Sequence, residues 1–350
     1  MASGAAPQQF AAGSPRVIVA GATGFAGALA AHLLWRHPRF ELAAVTGRSE
    51  VGRRLEDLYP RYRVPLEIEP LDLERIGQVD GAIVAYPHAA AAATVGELRE
   101  RGARVVDLSA DFRLGSLSTY EQWYGPHPRP DLLPQAVYGL TELHRERIAD
   151  AGLVANPGCY PTASLLALAP LARAGLIADL VIDAKQGISG AGRAFDETTH
   201  LSMAGENILP YKVAEHRHTP EIEEQLAPLR AAAGAGEEVA VLFQAHLVPV
   251  DQGELADCYV TTTRPVGDAE LGELFAAAYE GEPFVEVVDA PPGTREVRET
   301  NFCRLFAKSD PRTGKVIVLS AIDNLWKGTS SQAVQNLNLM FGVHETEGLS

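Results

Sequence analysis

The stretch V-A-N-P-G-C-Y-P-T, residues 154–162, is the one best suited to chemistry, with Cys159 at its centre. Asn156, Pro157 and Gly158 form turns readily, and Pro161 suits the first turn of a helix, where an N–H would be unpaired anyway. The pattern predicts a strand, a tight turn, the cysteine and then a helix. The sulfur would lie beside the positive end of the helix dipole, which favours the nucleophilic thiolate. We therefore interpret Cys159 as a nucleophile rather than as a small buried hydrophobe.

The other two cysteines, Cys258 and Cys303, lie within strand-like runs and fit the role of small core residues. Three cysteines are few and odd in number, which argues against a disulfide framework and favours a reducing compartment.

A second reactive cluster is E-H-R-H, residues 215–218. A histidine can exchange protons near neutral pH, so one of the two could be the acid/base partner of Cys159. Alternatively, His216 and His218 could bind a metal together with Cys159 or His200, although H-x-H alone is a weak zinc signal. A plain surface patch is the third reading. We rank the thiol partner first, the surface patch second and the metal site last.

Near the N-terminus, an apolar strand at 17–20 is followed by G-A-T-G-F-A-G, residues 21–27, and then by an apolar helix. The G-x-x-G-x-x-G spacing is a variant of the dinucleotide-binding fingerprint, in which glycines let the backbone approach a pyrophosphate. Because the motif follows a buried strand and opens a helix, it favours phosphate binding over a plain turn.

The next strand, 40–45, ends in T-G-R-S, where an enzyme specific for NAD usually carries an acid for the ribose 2′-hydroxyl. Arg48 and Ser49 suit a 2′-phosphate instead, although Arg48 could be an ordinary surface residue. The sequence therefore predicts NADP as the cofactor.

Strands at 80–87 and 105–109 alternate with helices, which indicates an α/β fold with a Rossmann-type, doubly wound parallel sheet. Ligands bind at the carboxyl ends of such strands, so residues 85–88 and 109–113 should face the cofactor cleft. Residues 119–134, rich in Pro, Tyr and Trp, are predicted to form a long irregular loop.

Beyond residue 156 the pattern changes to mostly strands, at 179–187, 239–250, 255–263, 284–288, 301–307 and 316–322, with one helix near 269–279. This indicates a second, α+β domain with a mixed or antiparallel sheet. The small-residue loop 188–193 contains Ser189, a candidate hydrogen-bond partner for a ligand. D-N-L-W-K-G, residues 323–328, opens a final helix with Val334, Leu337 and Phe341 on one face.

The composition limits the function classes. A chain of 350 residues favours two domains, and a net charge of −15 with a pI near 5.1 argues against nucleic acid and anionic membranes as partners. No apolar run approaches the length of a membrane span, and the start of the chain is not a signal peptide. We expect a disordered tail over residues 1–15 and a soluble, cytoplasmic protein.

The motifs G-x-x-G-x-x-G, N-P-G-C-Y-P-T, H-R-H-T-P-E and D-N-L-W-K-G occur in this order, and the chain closely resembles the N-acetyl-γ-glutamyl-phosphate reductase family of arginine biosynthesis. The resemblance covers residues 16 to about 342. That family is related to the aspartate-semialdehyde dehydrogenases, whose cysteine motif is typically N-x-x-C-T/S, so the G-C-Y-P-T of this chain favours the acetylglutamyl branch.

The resemblance implies that NADPH reduces an acyl phosphate to an aldehyde with loss of phosphate. It implies that a cysteine is the nucleophile and a histidine of H-R-H the acid/base, which we assign to Cys159 and His218. It further implies that the last helix, from about Asn324, returns to the first domain, and that subunits associate through the second sheet as a homodimer or homotetramer. The rivals are an aspartate-semialdehyde-type or non-phosphorylating aldehyde dehydrogenase, and a cofactor-binding regulatory protein with an inert Cys159.

These inferences combine into one set of assignments. The domains are a tail, 1–15; an NADP-binding domain, 16–155 with 324–350; and a catalytic and oligomerisation domain, 156–323. The residues assigned to the cofactor are Gly21, Thr23, Gly24, Phe25, Ala26, Gly27, Arg48, Ser49, Pro87, Ser189, Gly190, Asn324 and Gly328. The residues assigned to the substrate are Ser109, Arg113, Asn156, Lys185, Arg193 and Lys212. No metal is assigned.

Overall fold

The computed structural model describes residues 13–194, 197–236 and 240–349. Residues 1–12 of the predicted tail and Val239, the predicted start of a strand, lie outside these ranges. The chain divides into two compact units. The first runs to Pro157 and resumes at Thr329, and the second holds Gly158–Gly328. The sequence placed the corresponding boundaries at residues 156 and 324.

The first unit is built on a parallel sheet, whose seven strands within the described residues have the order β3-β2-β1-β4-β5-β7-β6. The strands are β1 (Arg16–Ala20), β2 (Glu41–Thr46), β3 (Ile68–Glu69), β4 (Gly81–Val84), β5 (Arg104–Asp107), β6 (Ala136–Tyr138) and β7 (Leu153–Ala155). The helices are α1 (Phe25–Trp35), α2 (Leu55–Leu58), α3 (Leu73–Ile76), α4 (Ala92–Glu100), α5 (Leu117–Tyr124), α6 (Thr141–Ala149) and the last helix, Ser331–Met340. Strands β4 and β7 are buried throughout, as expected for a parallel sheet covered on both faces.

The predicted irregular loop at 119–134 is wrong. Helix α5 occupies its first part, and a 3-10 helix, Pro130–Gln135, occupies its end. Ser116 caps α5 by accepting a hydrogen bond from the Thr119 N–H at 3.2 Å, and the fully buried Tyr120 donates to Asp111 at 2.9 Å. The aromatic residues that suggested a loop therefore anchor a short helix, because a cap and one buried contact outweigh weak helix propensity.

The second unit is built on a mixed sheet of seven strands among the described residues, in the order β12-β13-β14-β11-β8-β10-β9. The strands are β8 (Ile177–Gly187), β9 (Leu209–Tyr211), β10 (Val241–Val248), β11 (Glu254–Thr262), β12 (Val285–Val287), β13 (Cys303–Asp310) and β14 (Lys315–Ile322). The helices are α7 (Cys159–Arg173), α8 (Leu201–Ala204), α9 (Thr219–Ala232) and α10 (Asp268–Ala278). Strands β8 and β10 pair in parallel, whereas β11 is antiparallel to both β8 and β14. The predicted pair of fold classes is confirmed.

One face of the second sheet carries α7, which contacts β8, β11, β13 and β14. Residues of β8 alternate accordingly, with Leu180, Ile182 and Ala184 buried and the residues between them less covered. Cys258 and Cys303 are fully buried in β11 and β13, as predicted. The opposite face of the sheet is only partly covered, with Leu242 of β10 63% exposed.

The last helix, α11 (Ser331–Met340), belongs to the first unit and follows a π-helical turn, Trp326–Ser330. The sequence predicted one apolar face, but nearly every residue of α11 is buried, including polar ones. Gln332 donates to the Gly139 carbonyl at 3.0 Å, and Asn336 donates to the same carbonyl at 2.8 Å. Hydrogen bonds to Gly139 therefore hold these two amide side chains inside the core, while the side-chain oxygens of Gln332 and Asn338 are buried without a hydrogen-bond partner among the described residues. In the described part of the chain, no helix combines the length and apolarity that crossing a membrane requires.

Candidate active site

Cys159 is the first residue of α7, directly after the Gly158 N-cap, as the sequence predicted. The Gly158 N–H donates to the Glu221 carboxylate at 2.9 Å, and Thr162 donates from both its N–H and its hydroxyl to the Gly158 carbonyl at 2.9 Å. These bonds fix the start of the helix. The residue Cys159 as a whole is half-buried.

The Cys159 sulfur accepts a hydrogen bond from the side-chain amide of Gln186, the penultimate residue of β8, at 2.9 Å. The Tyr160 N–H also donates to it. Two glycines make room for this arrangement. A Cβ at Gly328 would lie 2.8 Å from the Cβ of Cys159, and a Cβ at Gly190 would collide with the Gln186 amide.

The pKa of the Cys159 thiol is raised well above its usual value, first by burial and then by the neighbouring Glu254 carboxyl. The hydrogen bonds from Gln186 and Tyr160 act in the opposite direction but are outweighed. Burial and the nearby acid therefore oppose the thiolate that the helix start was expected to favour. The raised pKa favours the thiol form, so a nucleophilic role for this sulfur requires a group that takes its proton.

The two histidines of H-R-H lie in an aromatic corner of the second unit. The His218 ring centroid is 5.9 Å from that of Tyr160, the residue after Cys159, and 4.9 Å from that of His216. Burial, followed by the charges of His218 and Lys212, lowers the pKa of His216 to about 2. The Nδ1 of His216 accepts the His218 N–H at 3.2 Å. His216 is thus a neutral, buried residue that supports the backbone at His218.

Ser189 and Asn324, both predicted to bind the cofactor, are buried and bonded to each other, with the Asn324 amide donating to the Ser189 hydroxyl at 3.0 Å. The Asn324 carbonyl oxygen accepts the Gly253 N–H at 2.8 Å. The structure therefore uses both side chains to join the 188–191 turn, the start of β11 and the end of β14. With Gly190 and Gly328, these residues all lie in the second unit.

Lys185 does not fit the predicted substrate-binding role. It directly precedes Gln186 in β8, and adjacent residues of a strand point to opposite faces of the sheet. Because Gln186 contacts the Cys159 sulfur, Lys185 points to the other face. Its ammonium group pairs with Asp257 at 2.6 Å and with Asp183 at 2.7 Å. Both its position and its two carboxylate partners remove it from the set of anion-binding candidates.

The remaining substrate candidates of the second unit, Arg193 and Lys212, are both exposed. Lys212 has a left-handed backbone, with φ at 45°. Their assignment stays a prediction.

In the first unit the glycine motif forms the turn between β1 and α1. Gly21 has φ at +97°, and a Cβ there would lie 2.7 Å from the Ala85 carbonyl oxygen. A Cβ at Gly27 would collide with the Gly21 carbonyl, so helix and turn pack without a gap. Gly24 faces open space and is the N-cap of α1, which has no side-chain cap. The residues present therefore fit a dinucleotide pyrophosphate, which helix N–H groups can bind.

Beside this turn lies a cavity of about 410 Å³. It is lined by Gly47, Arg48, Val51, Pro70, Leu71, Tyr86 and Thr94. The Arg48 guanidinium stacks over the Tyr86 ring at 4.7 Å and donates to the Ala90 carbonyl at 3.3 Å, and Ser49 is exposed next to it. Pro87 is exposed after the end of β4. An apolar cavity with an arginine at its edge can hold a nucleoside that carries a phosphate.

The segment after β5 is fixed by internal hydrogen bonds. The Ser109 hydroxyl donates to the Asp107 carboxylate at 2.6 Å and accepts the Asp111 N–H at 3.0 Å. The guanidinium of Arg113 donates to the carbonyls of Asn156 and Leu108, each at 2.8 Å. Ser109 and Arg113 therefore hold this turn, and their predicted contact with substrate stays a prediction.

Asn156 is a correction, because its fully buried side chain is used inside the first unit. Its amide donates to the Thr329 carbonyl at 3.1 Å, and its oxygen accepts from Asn336 at 3.1 Å. Asn156 thus ties the end of β7 to the returning segment rather than binding substrate.

Three residues of the site were missed from the sequence: Gln186, Glu221 and Glu254. The signal for Gln186 and Glu254 is strand parity, since each continues a buried apolar series at one end of its strand. For Glu221 it is the T-P-E that follows H-R-H, where proline at the second helical position marks a helix start. Among the described residues, no group of three or more His, Cys, Asp or Glu side chains is placed to hold a metal ion.

Comparison with known proteins gives consistent matches over the whole fold. Residues 16–151 match the family model described as semialdehyde dehydrogenase, NAD binding domain, and residues 159–324 match the one described as semialdehyde dehydrogenase, dimerisation domain. The structure resembles aspartate semialdehyde dehydrogenase II of Vibrio cholerae, with a TM-score of 0.71 at 19% identity over 94% of this chain and 98% of that one. It also resembles the aspartate semialdehyde dehydrogenase of Candida albicans, with a TM-score of 0.70 at 16% identity over 93% and 98%. At these identities the likeness shows the fold.

The curated relatives are more similar in sequence. The N-acetyl-γ-glutamyl-phosphate reductase of Desulforudis audaxviator is 50% identical over 95% of this chain and 97% of its own length. That of Moorella thermoacetica is 47% identical over 95% and 96%. The family predicted from the motifs is thereby confirmed: this chain belongs to the N-acetyl-γ-glutamyl-phosphate reductases.

Proposed function

We propose that this protein catalyses the NADPH-dependent reductive dephosphorylation of N-acetyl-γ-glutamyl phosphate to N-acetylglutamate 5-semialdehyde, through a thioester on Cys159, in arginine biosynthesis. The observation that carries the proposal is the half-buried Cys159 at the start of α7, with its sulfur 2.9 Å from the Gln186 amide. It stands in a chain 50% identical to a reductase named for this substrate.

Bound NADPH would supply the hydride in this reaction. The glycine turn at 21–27 fits the pyrophosphate, and the cavity beside Arg48 and Tyr86 fits the adenosine. We infer a preference for NADP over NAD because Arg48 and Ser49 offer donors to a 2′-phosphate where an acid would repel it.

The chemistry on the protein begins at Cys159. Its sulfur attacks the γ-carbonyl carbon, a tetrahedral oxyanion forms, and the C–O bond to phosphate breaks to leave a thioester. The first turn of α7 limits which donors can hold the oxyanion, because the Gly158 N–H is bonded to Glu221, the Tyr160 N–H to the sulfur, and Pro161 has no N–H. We assign the oxyanion to the Cys159 N–H and the Gln186 amide, which can turn from sulfur to oxygen as charge develops.

His218 is the proposed proton donor to the reacting oxygen atoms. Its ring lies against that of Tyr160, the residue that follows Cys159 in the chain, whereas its neighbour His216 is held neutral by burial. For the phosphate and the α-carboxylate, the remaining cationic candidates are Arg113, Arg193 and Lys212. Arginine can bind such an anion through two parallel hydrogen bonds, and lysine can bind it through a single compact charge.

We further propose that subunits associate through the less covered face of the second sheet, as a homodimer or homotetramer. Leu242 is 63% exposed on this face, which also carries the Lys185–Asp257 pair. Residues 159–324 match a family model described as a dimerisation domain. Light scattering coupled to gel filtration would measure the mass, and a monomer at micromolar concentration would contradict this assignment.

Because Cys159, Cys258 and Cys303 are all free thiols, we place the protein in the reducing cytoplasm.

The deciding experiment is the reverse reaction, in which NADP is reduced with N-acetylglutamate semialdehyde in the presence and absence of phosphate. We expect turnover that requires phosphate and prefers this aldehyde to aspartate semialdehyde. The Cys159→Ser variant should lose turnover while its dissociation constant for NADPH stays within a few-fold, since nucleophile and glycine turn lie on separate elements. Phosphate-independent turnover would indicate a non-phosphorylating dehydrogenase. Normal turnover of the serine variant would end the thioester mechanism.

A further inference from the structure

Glu254, the first residue of β11, is a fully buried carboxyl group. Within the described part of the chain, neither of its oxygens has a hydrogen-bonding nitrogen or oxygen partner. Buried acids are normally paired or hydrogen-bonded, because an isolated one is costly. A carboxyl group left in this condition therefore calls for a functional explanation, and the group beside it is the Cys159 thiol.

The sheet register places Glu254 at the reacting sulfur. It is the antiparallel partner of Gln186, whose amide donates to the Cys159 sulfur at 2.9 Å. Side chains alternate between the two faces of a strand, so Glu254 points to the same face as the buried residues Ala256 and Cys258. This is the face of the sheet that α7 covers. The preceding Gly253 is fixed by its N–H to Asn324 and by its carbonyl, which accepts the Gly187 N–H at 2.9 Å.

We propose that Glu254 is the catalytic base that accepts the Cys159 thiol proton and later returns it, an inference that rests on the proposed thioester mechanism. As the S–C bond to the substrate carbonyl forms and the C–O bond to phosphate breaks, the thiol proton moves to the Glu254 carboxylate. After the thioester has been reduced, the C–S bond breaks, the sulfur leaves as thiolate, and Glu254 protonates it. The leaving phosphate takes its proton from His218, which regains one from solvent, so Glu254 ends each turnover as it began.

The groups around Glu254 make such an exchange feasible. Burial raises the pKa of Glu254, and the nearby Asp323 carboxylate raises it further. The contact with the Cys159 thiol lowers it, and the resulting pKa of Glu254 is about 8. The hydroxyl groups of Tyr160 and Tyr211 also lie in its field, and their own pKa values are raised by burial, so both stay neutral. An acid whose pKa lies near the operating pH can both take and give a proton. Because the ionised form is the base, activity should rise with pH through this pKa.

The test compares Glu254→Gln with the wild type in two measurements. kcat/KM should fall about 10²-fold or more, and the rise near pH 8 should be absent. Iodoacetamide labelling of Cys159, followed by peptide mass spectrometry, should become faster than in the wild type above pH 8, because a negative neighbour has been removed. Glu254→Asp should keep the pH-dependent rise. Glu223→Gln is the matched control, since Glu223 is a partly buried acid of α9 bonded to the Val241 N–H, and neither measurement should change.

Lost activity with an unchanged labelling profile would show a structural role and overturn the proposal, as would unchanged activity. If Glu254→Gln does not fold, judged by its melting temperature, the wild type alone decides. Its Cys159 labelling rate must then show a second inflection near pH 8, and a single titration would refute the pairing. The labelling needs no substrate, so it tests Glu254 even if the wild type lacks phosphate-dependent turnover, which would instead refute the proposed function.

Discussion

Replacing Gln186 with methionine should separate two contributions of one side chain. The change keeps the volume but removes the amide that donates to the Cys159 sulfur at 2.9 Å. A hydrogen bond to a charged group is worth about 1.5–3 kcal/mol, so the thiolate fraction at a fixed pH should fall about 10- to 100-fold. The sign follows from the direction of the bond: a donor to sulfur stabilises the thiolate and lowers the thiol pKa, so its loss raises that pKa. If Gln186 also holds the oxyanion, kcat should fall a further ~10²–10³-fold.

The assay measures the iodoacetamide labelling rate of Cys159 between pH 6 and 10 (about the range in which a thiol titrates), together with kcat for the acyl phosphate. Gln244→Met is the matched control, because Gln244 lies half-buried on β10 and donates to the Ala245 carbonyl. A labelling profile that coincides with that of the wild type would refute the role of Gln186 at the sulfur. If labelling slows and kcat falls only in proportion to the thiolate fraction, the role of Gln186 at the oxyanion would be refuted.

Three further changes test the remaining parts of the site. Arg48→Ala combined with Ser49→Asp should shift the kcat/KM ratio from NADP toward NAD, because an acid repels a 2′-phosphate; an unchanged ratio would place the phosphate elsewhere. His218→Asn should lower kcat about 10²–10⁴-fold, whereas His216→Asn should act mainly on the melting temperature, since burial keeps its ring neutral; the reverse order of kcat losses would exchange the assignments. Gly328→Ala should lower kcat about 10²-fold with NADP binding retained, because the new Cβ would lie 2.8 Å from that of the nucleophile; wild-type turnover would show that the site can relax.

Much of the fold was predictable because its signals are local. The strand, turn and cysteine at 153–159 follow from breakers at fixed positions, and the mixed second sheet follows from strands with few helices between them. Helix α5 was missed since its support is tertiary, a buried Tyr120 bonded to Asp111, which propensity cannot show. The all-round burial of α11 was missed for the same reason: its polar residue Asn336 is hydrogen-bonded to Gly139 and Asn156, nearly two hundred residues away in sequence.

The place of Cys159 at the start of a helix was predictable from the sequence, but the side chains around its sulfur were not. Cys159 can be recognised in the sequence because turn-forming residues flank it. Its protonation state cannot be read from the sequence, because that depends on which side chains other elements bring beside it. The assignment of Lys185 to the substrate shows the error. Charge alone favoured the lysine, but the buried series Leu180, Ile182, Ala184 continues to position 186, so parity turns the lysine away from α7.

The same parity argument links the reactivity of Cys159 to the pairing of two strands. Glu254 and Gln186 face each other across the antiparallel β8–β11 pair, one raising the thiol pKa and the other lowering it. A slip of one residue in β11 would turn Glu254 to the open face and bring Leu255 under α7. The apolar residues Ala256, Cys258 and Val260 prevent that slip, because it would expose all three. The hydrophobic pattern of β11 thus fixes the position of Glu254, an acid that such a pattern alone would not predict. Its contact with the sulfur, the opposing contact from Gln186 and, above all, burial together determine the pKa of the Cys159 thiol.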